Sequence, residues 1–115
     1  MYKSITRDIA VTVRPEYLAE KSSPSDGRYV WAYHVRIENH GDSTVQLRSR
    51  YWRIIDAQGR TREVRGPGVI DQQPVLGPGQ QFEYASGTPL HTPSGIMVGT
   101  YQMESATGET FDVAI

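Results

Sequence analysis

The segment Arg28-Tyr29-Val30-Trp31-Ala32-Tyr33-His34-Val35-Arg36-Ile37-Glu38-Asn39 places Trp31, Tyr33, Val35 and Ile37 on one side and Ala32, His34, Arg36 and Glu38 on the other. Successive side chains of an extended chain point to opposite faces, so this alternation marks a half-buried strand. The same period recurs on either side of it. Upstream, Ile9, Val11 and Val13 alternate with Asp8, Ala10, Thr12 and Arg14, and Pro15 is expected to end that run. Residues 16–27 are polar and read as a loop, with room for one helical turn over 16–21. Downstream, Asn39-His40-Gly41-Asp42-Ser43 has the composition of a turn.

Residues 44–56 resume extended structure, with Val45, Leu47, Ser49, Tyr51, Arg53 and Ile55 on one face. Gln46, Arg48, Arg50, Trp52 and Ile54 lie on the other. Both faces are mixed near Tyr51-Trp52, which predicts a bulge or a change of sheet there. Asp56-Ala57-Gln58-Gly59 turns the chain into 60–65. Further strands are expected at 81–87, with Phe82 and Tyr84 on one side, at 96–105, with Met97, Tyr101 and Met103, and at 109–115. Residues 88–95 read as an ordered loop. About seven strands, short turns and no convincing helix predict an all-β fold. The architecture expected is an antiparallel β-sandwich of fibronectin type III or immunoglobulin type, with Trp31 as its strand tryptophan.

At 115 residues the chain is expected to be one domain, 1–115, able to bury roughly two-thirds of its unfolded surface. Twelve basic residues against thirteen acidic ones, a net charge of −1, supply no global field for nucleic acid or a membrane surface. There is no cysteine, which removes disulfides and thiolate zinc sites. No apolar run approaches the roughly 20 residues of a bilayer span. The N-terminus lacks the apolar core of a signal peptide. A cytoplasmic location and no membrane insertion are the expectation.

Two regions are candidate functional sites. The first is Gly66-Pro67-Gly68-Val69-Ile70-Asp71-Gln72-Gln73-Pro74, closed further on by Gly77-Pro78-Gly79. Gly66, Gly68, Val69, Asp71 and Gln73 are its candidate ligand or partner residues. The start matches two glycines of G-x-G-x-x-G, but Asp71 stands third, and the prolines preclude the helix that a dinucleotide site needs. The second is an arginine-rich hairpin, in which Arg48, Arg50, Trp52, Arg62 and Arg65 form a candidate partner face. Arginine with aromatics suits a partner surface, while Asp56 and Glu63 offer partners within the chain and nucleic acid is disfavoured. His34, His40 and His91 have no metal-ligand spacing. No G-x-S-x-G elbow or carboxylate pair suggests an enzyme. No metal, cofactor or catalytic residue is expected, and Glu109–Ile115 is an edge strand through which a homodimer would pair.

Several separated blocks occur in one order. They are Trp31–Asn39, then Leu47-Arg48-Ser49-Arg50-Tyr51-Trp52-Arg53-Ile54-Ile55-Asp56 with Gly59, and Val64-Arg65-Gly66-Pro67-Gly68-Val69. Gln73-Pro74-Val75-Leu76-Gly77-Pro78-Gly79, Phe82–Gly87 and Gly95–Met103 follow. In this pattern the chain resembles the bacterial ApaG family over nearly its whole length. The resemblance implies a fibronectin-III-like sandwich and an association with cobalt and magnesium resistance or efflux. Related domains fused to an F-box, or found in a polymerase-interacting protein, imply protein–protein interaction. The family's G-x-G-x-x-G, discussed as a pyrophosphate site, is matched here at Gly66 and Gly68 and departs at Asp71. Without a membrane span, the chain would be an accessory to efflux and not itself a transporter.

Overall fold

The alternating segments form nine strands in a computed structural model that describes residues 2–115. They are β1 (Tyr2–Thr6), β2 (Ile9–Tyr17), β3 (Tyr29–Asn39), β4 (Val45–Asp56), β5 (Thr61–Pro67), β6 (Val75–Leu76), β7 (Gln81–Leu90), β8 (Gly95–Ser105) and β9 (Thr110–Ala114). One sheet has the order β1-β2-β3-β7, and the other has the order β5-β4-β8-β9 with β6 also paired to β4. Every pairing is antiparallel. Val11, Val35 and Ile37 of the first sheet meet Leu47, Trp52, Tyr101, Met103 and Val113 of the second in one buried core. This is the expected antiparallel sandwich.

Nine strands, against the seven expected, have local explanations. β1 has no apolar periodicity because Tyr2 and Ile5 are both exposed. It is held instead by a two-residue turn, with Arg7 at φ 48° and Asp8 at φ 65°, the left-handed pair that matches strand twist. β2 runs on through Pro15, which faces Tyr33 of β3. Among the described residues, the pairing of β2 with β1 runs from Ile9 to Val13, so the missing proline amide breaks no bond of that ladder. β7 likewise passes through Pro89, because it is a sheet edge. The helical turn allowed for 16–21 is a 3-10 turn at Ala19–Lys21.

The bulge lies earlier than the sequence suggested. Pairing of β4 with β8 steps from Leu47↔Met103 to Ser49↔Gln102, leaving Arg48 as the extra residue. One inserted residue moves every later side chain to the other face. Val45 and Leu47 are therefore buried before the bulge, and Trp52 and Ile54 after it. The tryptophan at the centre of the core is accordingly Trp52, 2% exposed, with its ring 5.5 Å from Tyr33 and 6.2 Å from Tyr101. Trp31 lies off this cluster and packs edge-on against Tyr17 at 5.2 Å.

Candidate functional site

β5 and β6 lie along the same edge of β4, and residues 68–74 interrupt them. The carbonyl of the bulge residue Arg48 anchors that interruption. It accepts from the Gly68 amide at 2.8 Å and from Gln73 Nε2 at 2.9 Å. Val69 then enters the core with no exposure. Val69 and Gln72 exchange amide–carbonyl bonds at 2.8 Å, enclosing Ile70 at φ 42° and Asp71 at φ 63°. These are the dihedrals of a type I′ turn.

The glycine spacing follows from this turn. Gly68 has φ 60°, and a Cβ there would stand 2.0 Å from the Gln72 carbonyl oxygen. A Cβ on Gly66 would stand 3.1 Å from the Arg50 guanidinium. That guanidinium donates through Nη1 to the carbonyls of Pro67 at 3.1 Å and Gly68 at 2.9 Å. The third position of the motif sits in the left-handed region, which glycine adopts freely and Asp tolerates better than most residues. Turn geometry thus accounts for Gly66, Gly68 and Asp71 without a ligand. The amides of Gly68 and Val69 already have acceptors, so a cradle over 68–70 has lost two of its three donors.

Beneath the loop, the hydroxyls of Tyr84 and Tyr101 hydrogen-bond each other in the core. Burial pushes the Tyr84 hydroxyl up to about 12, against a smaller lowering by the Tyr101 bond. Burial first, and then the repulsive charge and the hydrogen bond of Tyr84, raise Tyr101 as well. Both hydroxyls are held neutral; the Tyr84 contribution is complete below pH 10 and is lost as pH climbs to about 12. For Tyr84 alone the two-unit rise corresponds to about 2–3 kcal/mol at the top of that window. Urea midpoints taken between about pH 9 and pH 12 should fall, and the fall should be shallower in Tyr84→Phe. Equal slopes would remove the tyrosine pair as the cause.

The five residues of the candidate partner face separate. Trp52 is in the core, and the bulge turns Arg50 inward with it, toward the loop carbonyls. Arg62 donates to Thr88 Oγ1 at 2.6 Å, at the gap between the sheets. Arg48 reaches Glu104 at 3.4 Å. Arg65 lies over the Tyr51 ring at 4.5 Å and contacts Glu63 at 3.3 Å. Another surface takes shape on the outer side of the five-stranded sheet. Ile55 pairs with Ile96, Arg53 with Val98 and Tyr51 with Thr100. Ile96 is 62% and Val98 44% exposed, with Thr61, Glu63 and Arg65 of β5 alongside. The alternation Ile96-Met97-Val98 was apolar on both faces, and that was the available sequence signal for this surface.

His34 meets Glu16 at 3.1 Å and His40 meets Glu38 at 3.5 Å, in separate places. Among the described residues, no three or more His, Cys, Asp or Glu side chains gather as a metal site. No helix among them is long and apolar enough to cross a membrane. β9 is an edge strand, as the sequence indicates.

The ApaG domain, as a family profile, matches residues 19–105. The chain belongs to the ApaG family. Protein ApaG of Rhodospirillum centenum is 66% identical across the whole chain, which spans 88% of that protein. Protein ApaG of Paramagnetospirillum magneticum is 63% identical with the same coverage. A crystal structure described as the ApaA protein of Bordetella pertussis superposes with a TM-score of 0.92 at 51% identity, covering 94% of this chain and 88% of that one. A second X-ray structure gives a TM-score of 0.88 at 44% identity, covering 94% and 82%. The matched ApaG span contains all of β3 to β8. The bulge, the Gly66–Gln73 loop and the Ile96–Val98 surface are therefore all parts of the ApaG domain itself.

Proposed function

We propose that the chain is a non-enzymatic interaction module that docks a partner protein on the outer face of its five-stranded sheet. The observation that carries this reading is the exposure of Ile96 and Val98, at 62% and 44%, on the stretch of β8 that pairs with β4 and lies beyond the Thr100–Glu104 pairing with β9. Half-buried Ile55 and Tyr51 lie beside them, with Arg53, Glu63 and Arg65 around them. An apolar centre within a charged rim is how specific interfaces are built. Arginine stacked on tyrosine, as Arg65 is on Tyr51, combines residue types enriched at binding hot spots. An accessory part in cobalt or magnesium resistance, as the family resemblance implies, would then act through the partner and not through metal held on this chain. The second reading, an anion or divalent ion at Gly66–Asp71, has less support. Arg50 faces carbonyls there, and two of the loop amides are engaged.

The test is a paired substitution, Ile96→Lys with Val98→Thr, used as bait beside the parent chain in quantitative crosslinking and mass spectrometry. Both positions are solvent-facing, so folding stability should change by no more than about 1 kcal/mol. Recovery of the specific partner should fall at least about tenfold, since hot-spot truncations cost about 2 kcal/mol or more. Recovery of the same proteins in the same amounts by parent and variant would defeat the proposal.

A further inference from the structure

Where the two sheets part, between β5 and the end of β7, there is a cleft of about 230 Å³. Ile54 and Leu90 supply apolar wall, and Arg60, Arg62 and His91 stand around it. Among the described residues Asp56 is its only acidic side chain, and that carboxylate is fully engaged. Its Oδ1 accepts from the amides of Gln58 at 2.9 Å and Arg60 at 3.0 Å, and its Oδ2 accepts from Arg60 Nε at 2.8 Å. Burial works to raise its pKa, but these donors outweigh burial and hold it below the usual carboxylate range. Asp56 and Arg60 therefore cancel each other.

Arg62 is the charge left over. It takes part in none of the ion pairs among the described residues. One corner of its guanidinium is fixed by donation to Thr88 Oγ1 at 2.6 Å, and Thr88 is itself buried. A guanidinium held at one corner presents its other N–H groups as a flat fork, the shape that matches a carboxylate bidentately. We propose that this cleft binds a small organic carboxylate. The carboxylate sits on the Arg62 fork, and a compact apolar body lies against Ile54 and Leu90. One uncancelled positive charge beside an apolar wall matches a monoanion with a hydrocarbon part better than a multiply charged phosphate. The site is separate from the docking face, since Arg62 and the outer residues Glu63 and Arg65 are on opposite sides of β5.

The probe is benzoate, with benzamide as its neutral counterpart and inorganic phosphate as a bare anion, titrated into the ¹⁵N-labelled chain. Benzoate should give saturable amide shifts at Thr61, Arg62, Leu90 and His91, leaving Gly68 and Val98 unmoved. Arg62→Ala should weaken binding at least about tenfold, the weight of one charge-assisted hydrogen bond. Arg62→Lys keeps the charge and the aliphatic stem, loses the fork and should weaken it several-fold. It decides the matter if the alanine variant does not fold. A flat titration to about 20 mM, a response to benzamide or phosphate equal to that for benzoate, or undiminished binding in Arg62→Lys would overturn the proposal.

Discussion

Trp52→Ala is expected to destabilise the chain by about 3–5 kcal/mol, the range for removing a large aromatic from a packed core. Trp52 is 2% exposed and packs between Tyr33 of one sheet and Tyr101 of the other. Its loss would leave a void where the sheets meet, close to the hydrogen-bonded Tyr84–Tyr101 pair. A domain of this size has roughly 5–15 kcal/mol in total, so the variant should unfold at a much lower urea concentration, with an unchanged m-value. Chemical denaturation followed by far-UV circular dichroism checks this. The experiment also separates two placements of the same residue. If Trp52 were part of a solvent-facing arginine surface, the substitution would cost under about 0.5 kcal/mol. A small loss of stability would therefore refute the register shift at Arg48.

That shift explains why the fold was legible in the sequence while the arginine surface was not. Alternation over Arg28–Asn39, 96–105 and 109–115 reports which faces are buried, and burial on one face suffices to imply two packed sheets. The sandwich, its approximate strand positions and the β9 edge follow from that information. A bulge adds a single residue and leaves little compositional trace. Arg48, Arg50 and Trp52 alternate perfectly in the sequence, yet the face changes between the first and the other two. β1 escaped notice for a related reason. A strand with Tyr2 and Ile5 exposed has no burial pattern to read, and its turn, Arg7-Asp8, lacks the glycine that usually announces left-handed dihedrals. The ApaG blocks were legible because they combine many positions, whereas the Ile96–Val98 surface became visible only once register and exposure were known.

Gly68→Ala is expected to cost about 3–5 kcal/mol, and its neighbours in the same turn should respond with the opposite sign. At φ 60° an L-residue carries roughly 1–2 kcal/mol of left-handed strain. The new Cβ would also stand 2.0 Å from the Gln72 carbonyl, which is backbone and cannot step aside. Forcing that oxygen away breaks the Val69–Gln72 bonds and draws Val69 out of the core. By contrast, Ile70 and Asp71 already occupy left-handed dihedrals that suit Asn-Gly far better than Ile-Asp. Ile70→Asn with Asp71→Gly should therefore stabilise the chain by about 1 kcal/mol, partly offset by the freedom glycine adds to the unfolded state. Thermal unfolding of the two variants beside the parent reads both effects. If the loop were instead organised around a bound anion, the purified chain would lack its organiser, and both variants would sit close to the parent. Opposite shifts in Tm, down for Gly68→Ala and up for Asn-Gly, would mean that the Gly66, Gly68 and Asp71 spacing serves the turn.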